Sequence, residues 1–414
     1  MSMVFPPSNA TGLFGYSNEQ KSGAEFAALY DLVDVTLPEL KNHLQAAILI
    51  KTPGPAKWSI LNVAQQEMLH LSLAGNILCA IGGEPKLYSL NPPDSENHPK
   101  FPSYPDKMFY QETPLNLRGA TKANIRTFLD LERPSILKDI DQVAEALDTY
   151  GSIGTFYWAV GEALKFSRSS MGDPRLFCGD VEKQLQYGDG SWYNDEMVVV
   201  KDLNSALKAL DIIIDQGEGS QREPPVRATG SLDPPAPFGV KSQFEIFEDI
   251  YKGPPLDYYE VFENPKTESF KTSDPDIYKV KQQWLLTYWL QVLLVGDAAF
   301  CYLLQTVETL WKRKEKIKRM HLVNNNLHNI MLYVLRPLST FLLSKTVKRK
   351  AKPTDQKETE MHFNLFFNYY PFAKTGKLAK LKELTRAAVE AFPNDKILPE
   401  VKEAVDALED VGDQ

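Results

Sequence analysis

The sequence predicts an all-α protein. Apolar residues recur at helical spacing through most of the chain, alternating strand patterns are scarce, and Pro- or Gly-rich stops separate the periodic segments. The 414 residues are too many for one small domain and enough for a large core with a second lobe.

A first helix is predicted from about Ala24 to Lys51, with a break at Pro38, and the turn TPGP (Thr52 to Pro55) stops it. A second runs from about Ala56 to Ile81 and ends on Gly82-Gly83, a glycine stop. The connection from Glu84 to about Leu117 contains NPPDSENHPKFPSYP, whose prolines forbid a regular helix. Thr121 opens a short helix that closes at Leu131, ahead of Arg133-Pro134. Long helices follow at Ile136 to Ser169 and at Asp195 to Asp215, the latter stopping at Gly217. Gly217 to Pro237 is a Gly- and Pro-rich loop, and Val240 to Tyr251 is helical again. In the second half, Val280 to Trp311 and Glu315 to Ser344 read as a long antiparallel pair. The run KTVKRKAK, Lys345 to Lys352, reads as a solvated basic loop, and Lys377 to Asp410 as two amphipathic helices.

Composition excludes several classes of function. With 43% hydrophobic and 24% charged residues the chain is not generally disordered. A net charge of −8 lacks the electrostatic footprint of a nucleic-acid binder. Cys79, Cys178 and Cys301 are far apart, odd in number and without CxxC, which argues against a zinc ribbon or a disulfide framework. The segment MSMVFPPSNATGLFG has no basic start and no apolar run of signal length, so a cytoplasmic protein is expected. Trp284 to Leu304 is long enough to span a bilayer, but Asp297 sits inside it. A buried core helix, and no membrane partner, is the expectation. GxSxG, Walker and strand-following GxGxxG motifs are absent.

The stretch VAQQEMLHLSLAGNILCAIGGEP, Val63 to Pro85, carries the chemistry. Glu67 and His70 lie three apart and share a helix face with Val63, Ala74, Ile77 and Ile81. A carboxylate on an apolar face needs a partner, because burying it alone costs several kcal/mol, of order 3 or more. Glu and His are both metal ligands, and Glu-x-x-His is the element that di-iron bundles use twice. The plainer reading is a hydrogen-bonded Glu–His pair in a core.

The segment resembles the ferritin-like domain of the iminophenylpyruvate dimer synthase family, enzymes of bacterial bisindole pigment pathways. The resemblance rests on QQEMLHLSLAGNILCAIGGEP, on FPSYPDKM (Phe101 to Met108) and on LERP (Leu131 to Pro134). It extends to GSIGTFYWAVGEAL (Gly151 to Leu164) and IIIDQGEGS (Ile212 to Ser220), in order over about residues 20 to 255. It implies a ferritin-like four-helix bundle over residues 20–255, with a helical C-terminal region, 256–414, packed on it. It also implies iron as cofactor and oxidative coupling of an amino-acid-derived imine. Glu67 and His70 match the family's first Glu-x-x-His. At the other four ligand places this chain has Thr36, Thr155, Val240 and Gln243, of which Thr and Gln are weak iron ligands and Val is none. Replacement ligands are sought in Glu39 and His43, four apart on the first helix, and in Glu162 and Glu218.

Three readings follow. In the first, the chain is an enzyme of specialised metabolism acting on a small aromatic or apolar molecule, with a metal-poor or metal-free site in which Glu67, His70, Glu39 and His43 do the chemistry. In the second it is an iron oxidase with substituted ligands, and in the third a non-catalytic scaffold. Tyr157, Trp158, Trp284, Tyr288 and Trp289 read mostly as core, with a few available to line a pocket; a homodimer is allowed.

Overall fold

The computed structural model describes residues 40–41, 43–88, 119–134, 153–186, 196–217, 241–261, 283–350 and 358–412, with backbone alone at 153, 155, 283–290, 347–350, 358–359 and 361. The break expected at Pro38, the connection after Tyr88, the first half of the helix expected from Ile136 and the loop after Gly217 lie outside these residues.

Helix α1 (residues 40–41 and 43–49) ends where Lys51 donates its backbone N–H to Asp257 and the TPGP turn begins. Pro55 then opens α2 (Pro55–Ala80), since the first turn has no use for the missing N–H. Helix α2 closes as the glycines require. Gly82 takes a φ of 87°, Gly82 N–H bonds to Cys79 O at 3.0 Å, and Gly83 N–H to Leu78 O at 2.9 Å, a Schellman closure.

Helix α3 (Lys122–Leu131) is capped by Thr121, whose hydroxyl accepts from Asn124 N. Helix α4 (Ile153–Met171) runs into the single turn α5 (Asp173–Leu176). Helix α6 (Leu203–Gly217) starts eight residues later than the Asp195 expected from the pattern. The apolar residues Met197, Val198 and Val200 are buried in irregular chain, not in a helix. Gln184 bonds both backbone groups of Val200, and Asn76 Nδ2 donates to Val198 O at 3.0 Å. The helix begins only after Asp202 Oδ1 accepts from Ser205 N. Ser242 and Glu245 form a capping box that starts α7 (Gln243–Lys252).

Helix α6 packs against both α2 and α4, and α3 lies against α7, which also touches α2. A second helical layer rests on them. It contains α8 (Gln283–Lys312), α9 (Lys316–Leu322), α10 (Arg336–Leu343), α11 (Lys377–Ala391) and α12 (Ile397–Asp406). The wide turns Val323–Leu327 and Ile330–Leu335 lie between α9 and α10, the second just ahead of Pro337, which has no N–H for the carbonyl one turn back. The expected basic loop is corrected in part: Thr346–Lys350 is a strand, β1, paired antiparallel with β2 (Glu358–His362) in a register that sets Lys348 opposite Glu360. Val, Thr and alternating long side chains suit an extended ribbon, and opposite charges across it favour the pairing.

The part Gln291–Lys312 of α8 is long and apolar enough to cross a membrane, yet 78% of its apolar window is buried within the protein, as in a core helix. It locks onto α2. Trp311 lies flat against Gly75, where any Cβ would come within 2.2 Å of the ring. The Trp311 indole N–H and Leu185 N–H both donate to Asn76 Oδ1. Glu308 Oε1 accepts from the backbone N–H groups of Leu87 and Tyr88, fixing the chain that leaves α2. Burial pushes the Glu308 carboxyl above its ordinary range, and those two N–H groups only partly offset it.

Candidate functional site

Helix α2 turns Glu67 and His70 inward, onto the face that carries Val63, Ala74 and Ile77. Glu67 is 1% exposed and His70 2%. His70 Nδ1 lies 3.2 Å from Glu67 Oε1. Helix α7 brings Gln243, which is 1% exposed, so that its Nε2 donates to the same Oε1 at 2.7 Å. From the end of α6, Gln216 Oε1 lies 3.0 Å from His70 Nε2, and Gln216 Nε2 donates to Glu196 Oε2 at 3.0 Å.

The proton positions follow from this chain of contacts. An ionised carboxylate only accepts, so Glu196 fixes the Gln216 amide with its N–H₂ outward and its oxygen toward His70. His70 Nε2 must then carry hydrogen. At Nδ1 a proton would bridge the 3.2 Å to Glu67 Oε1, whereas a bare lone pair would face the carboxylate oxygen unfavourably. Burial acts to raise the Glu67 carboxyl, but the charge and hydrogen bond of His70, the nearby His43 and the Gln243 amide together hold it below the ordinary carboxylate range.

His43 enters from α1, fully buried. Its ring stacks on Phe247 at 5.0 Å between centroids and meets Phe128 edge-on at 4.7 Å. Burial drives its pKa down to about 4, with Glu67 pulling the other way. Among the described residues, neither ring nitrogen of His43 has a hydrogen-bond partner, and neither does Glu67 Oε2. Each such orphan costs about 1–3 kcal/mol, so three around one carboxylate are a cost that a packed core seldom carries without use.

Glu132, at the end of α3, is buried at the same place. Gly217 has no Cβ, and one built there would lie 3.5 Å from Glu132 Oε2 and 3.7 Å from Gln243 Oε1. The end of α6 thus lies beside both the Glu132 carboxylate and the Gln243 amide.

The structure brings Glu67, His70, His43 and Gln243 together. Glu162 is not with them: it pairs with Lys165 at 2.6 Å, half-exposed on α4, because its place on the helix faces water. Glu39, Glu218, Thr36 and Val240, and the side chain of Thr155, lie outside the described residues. Glu132, Gln216 and Glu196 are the site residues that sequence reasoning missed. The first two sit inside LERP and IIIDQGEGS, stretches that carried the resemblance, so the signal was present but not read as chemistry.

The described residues do not fit a two-metal centre. No three His, Cys, Asp or Glu side chains among them come close enough together to hold an ion. Gln243 points an amide hydrogen at Glu67 Oε1, where a second imidazole would offer a lone pair, and both His70 nitrogens are engaged.

The ferritin-like family profile matches residues 19–252. Dichlorochromopyrrolate synthase of Lentzea aerocolonigenes is 29% identical over 185 residues, which cover 41% of this chain and only 16% of that enzyme. The crystal structure of a ferritin-like protein from Caulobacter vibrioides superposes with a TM-score of 0.44 at 20% identity, over 74% of this chain and 94% of that one.

Proposed function

The chain belongs to the ferritin-like family, and we propose that it is an enzyme of specialised metabolism that uses the Glu67–His70 pair as acid and base on a small aromatic or apolar molecule. The observation that carries this reading is the buried pair itself, His70 Nδ1 lying 3.2 Å from Glu67 Oε1 on the inner face of α2. A proton held between two groups inside a dry core is given up or taken back at little cost when a reacting atom arrives, which is what general acid–base catalysis needs. His43 and the free Glu67 Oε2 supply the adjoining polar surface, and Phe128 and Phe247 the apolar wall. The partial likeness to a synthase of specialised metabolism supports the substrate class.

The test uses an imine generated in place from an aromatic amino acid by an amino-acid oxidase, followed by mass spectrometry. The intact chain is expected to convert it faster than a protein-free control. Glu67→Gln and His70→Ala are expected to lose that conversion while keeping the helical circular-dichroism spectrum. Conversion at the full rate in both folded variants defeats the reading.

A further inference from the structure

We propose that Glu196 and Gln216 are positioning residues that fix which nitrogen of His70 faces Glu67 as the acid–base atom. This deepens the reading of the Glu67–His70 pair and rests on it. Four contacts run in one line: Glu196 Oε2 to Gln216 Nε2 at 3.0 Å, Gln216 Oε1 to His70 Nε2 at 3.0 Å, His70 Nδ1 to Glu67 Oε1 at 3.2 Å, and Gln243 Nε2 to Glu67 Oε1 at 2.7 Å. Between Glu196 and His70 the member whose polarity is not set by its own chemistry is Gln216, because its amide can point either way. The carboxylate beyond it removes that freedom. With an acceptor-only group at the outer end, Gln216 must present oxygen inward. The His70 Nε2–H is thereby anchored, and Nδ1 is the nitrogen left to exchange a proton with Glu67.

Placement supports a positioning role. Glu196 is exposed in a turn ahead of α6, while Gln216 sits on the last turn of α6. The line therefore joins two points of the chain twenty residues apart and crosses from the surface to the bundle interior. Glu196 touches neither Glu67 nor His70 in this line, so its influence on them passes through the amide. A carboxylate orienting an imidazole through the nitrogen opposite the reacting one is a general device for holding a tautomer.

The inference is tested by reversing the polarity of the outer end. Glu196→Lys puts a donor where an acceptor stood, at an exposed position. Gln216 then turns its oxygen outward and its N–H₂ toward His70, which makes Nε2 a lone-pair acceptor. The readout is nitrogen NMR of the full chain labelled with ¹⁵N-histidine, His70 being identified by the signal missing from His70→Gln. In the wild type the Nε2 signal is expected at the protonated position. In Glu196→Lys it is expected to move to the lone-pair position, and in Glu196→Asp to stay as in the wild type. A residue that only stabilised the fold would change the melting temperature and leave the ring nitrogens alone. A lone-pair Nε2 in the wild type overturns the inference, and so does a protonated Nε2 that Glu196→Lys leaves in place. The readout needs no substrate, so a failure of the proposed activity in Glu67→Gln is seen separately from a failure here.

Discussion

His43 makes the protein acid-sensitive in a definite window. Its imidazole has an ordinary pKa of 6.5 in the unfolded chain and about 4 in the folded one. The folded value is the lower, so the folded state resists the proton that the unfolded state accepts. Stability is fully present above pH 6.5, falls as the unfolded chain takes up the proton, and levels off below the folded pKa. A gap of about 2.5 pH units at 1.36 kcal/mol each gives a loss of about 3 kcal/mol, as an order of magnitude. Glu67 faces His43 and also loses stability in acid, but only as pH falls below its ordinary carboxylate value, so its loss begins at the acid end of the His43 window. The perturbation is His43→Leu, close in volume and without a titrating group. Urea unfolding at pH 7.5, 6, 5 and 4 measures it. The wild type is expected to lose about 3 kcal/mol relative to the variant between pH 7.5 and pH 4. At pH 7.5 the variant is expected to be no less stable than the wild type, because two orphaned nitrogens are gone and only ring stacking of about 1 kcal/mol is lost. Parallel pH profiles for the two chains refute the reasoning.

Four more outcomes follow. Gly75→Ala drives a methyl into the Trp311 ring and is expected to cost about 1–3 kcal/mol, seen as a lower melting temperature that Trp311→Leu in the same chain partly restores. Asn76→Leu strips partners from Leu185 N, Leu185 O, Val198 O and the Trp311 indole, and is expected to cost about 3 kcal/mol or more in urea unfolding. Glu308→Gln removes a carboxyl that burial raises: the folded pKa lies above the unfolded one, so wild-type stability is lost as pH rises through it. The Gln variant is therefore expected to gain on the wild type between pH 4 and pH 7, and a gain on acidification counts against it. Protein purified from iron-supplemented growth is expected to hold well under two equivalents of iron per chain by elemental analysis, and near two equivalents contradicts the donor-set argument.

The helices were legible where composition and punctuation agreed. Helix α2 is set by Pro55 at one end and Gly82-Gly83 at the other, and the side chains between them leave no competing pattern. The start of α6 was illegible because Val198 and Val200 suit a helix as well as a buried strand-like segment. What decides is Gln184 and Asn76, distant in sequence, which take their backbone groups. The ribbon at Thr346–Lys350 was hidden by its charges, which read as a solvated loop until a partner strand is known. At the site, the i, i+3 spacing of Glu67 and His70 was enough to put both groups on the inner face. Glu132 and Gln216 sit at helix ends, where no periodicity speaks for the direction of a side chain. Glu196 matters only through Gln216, a link that no local pattern carries. Glu162 misled because a match two turns beyond Thr155 says nothing about which side of α4 faces water.

The pairing of Glu67 with His70 inside the bundle is tested most directly by following the Glu67 carboxyl carbon by ¹³C NMR in acid. The structure predicts the ionised position at neutral pH and still at pH 4.5, with protonation only below that, because His70, His43 and Gln243 outweigh burial. A carboxyl that is already protonated at pH 6 means that burial has won over the stabilisation that His70, His43 and Gln243 give the ionised carboxylate.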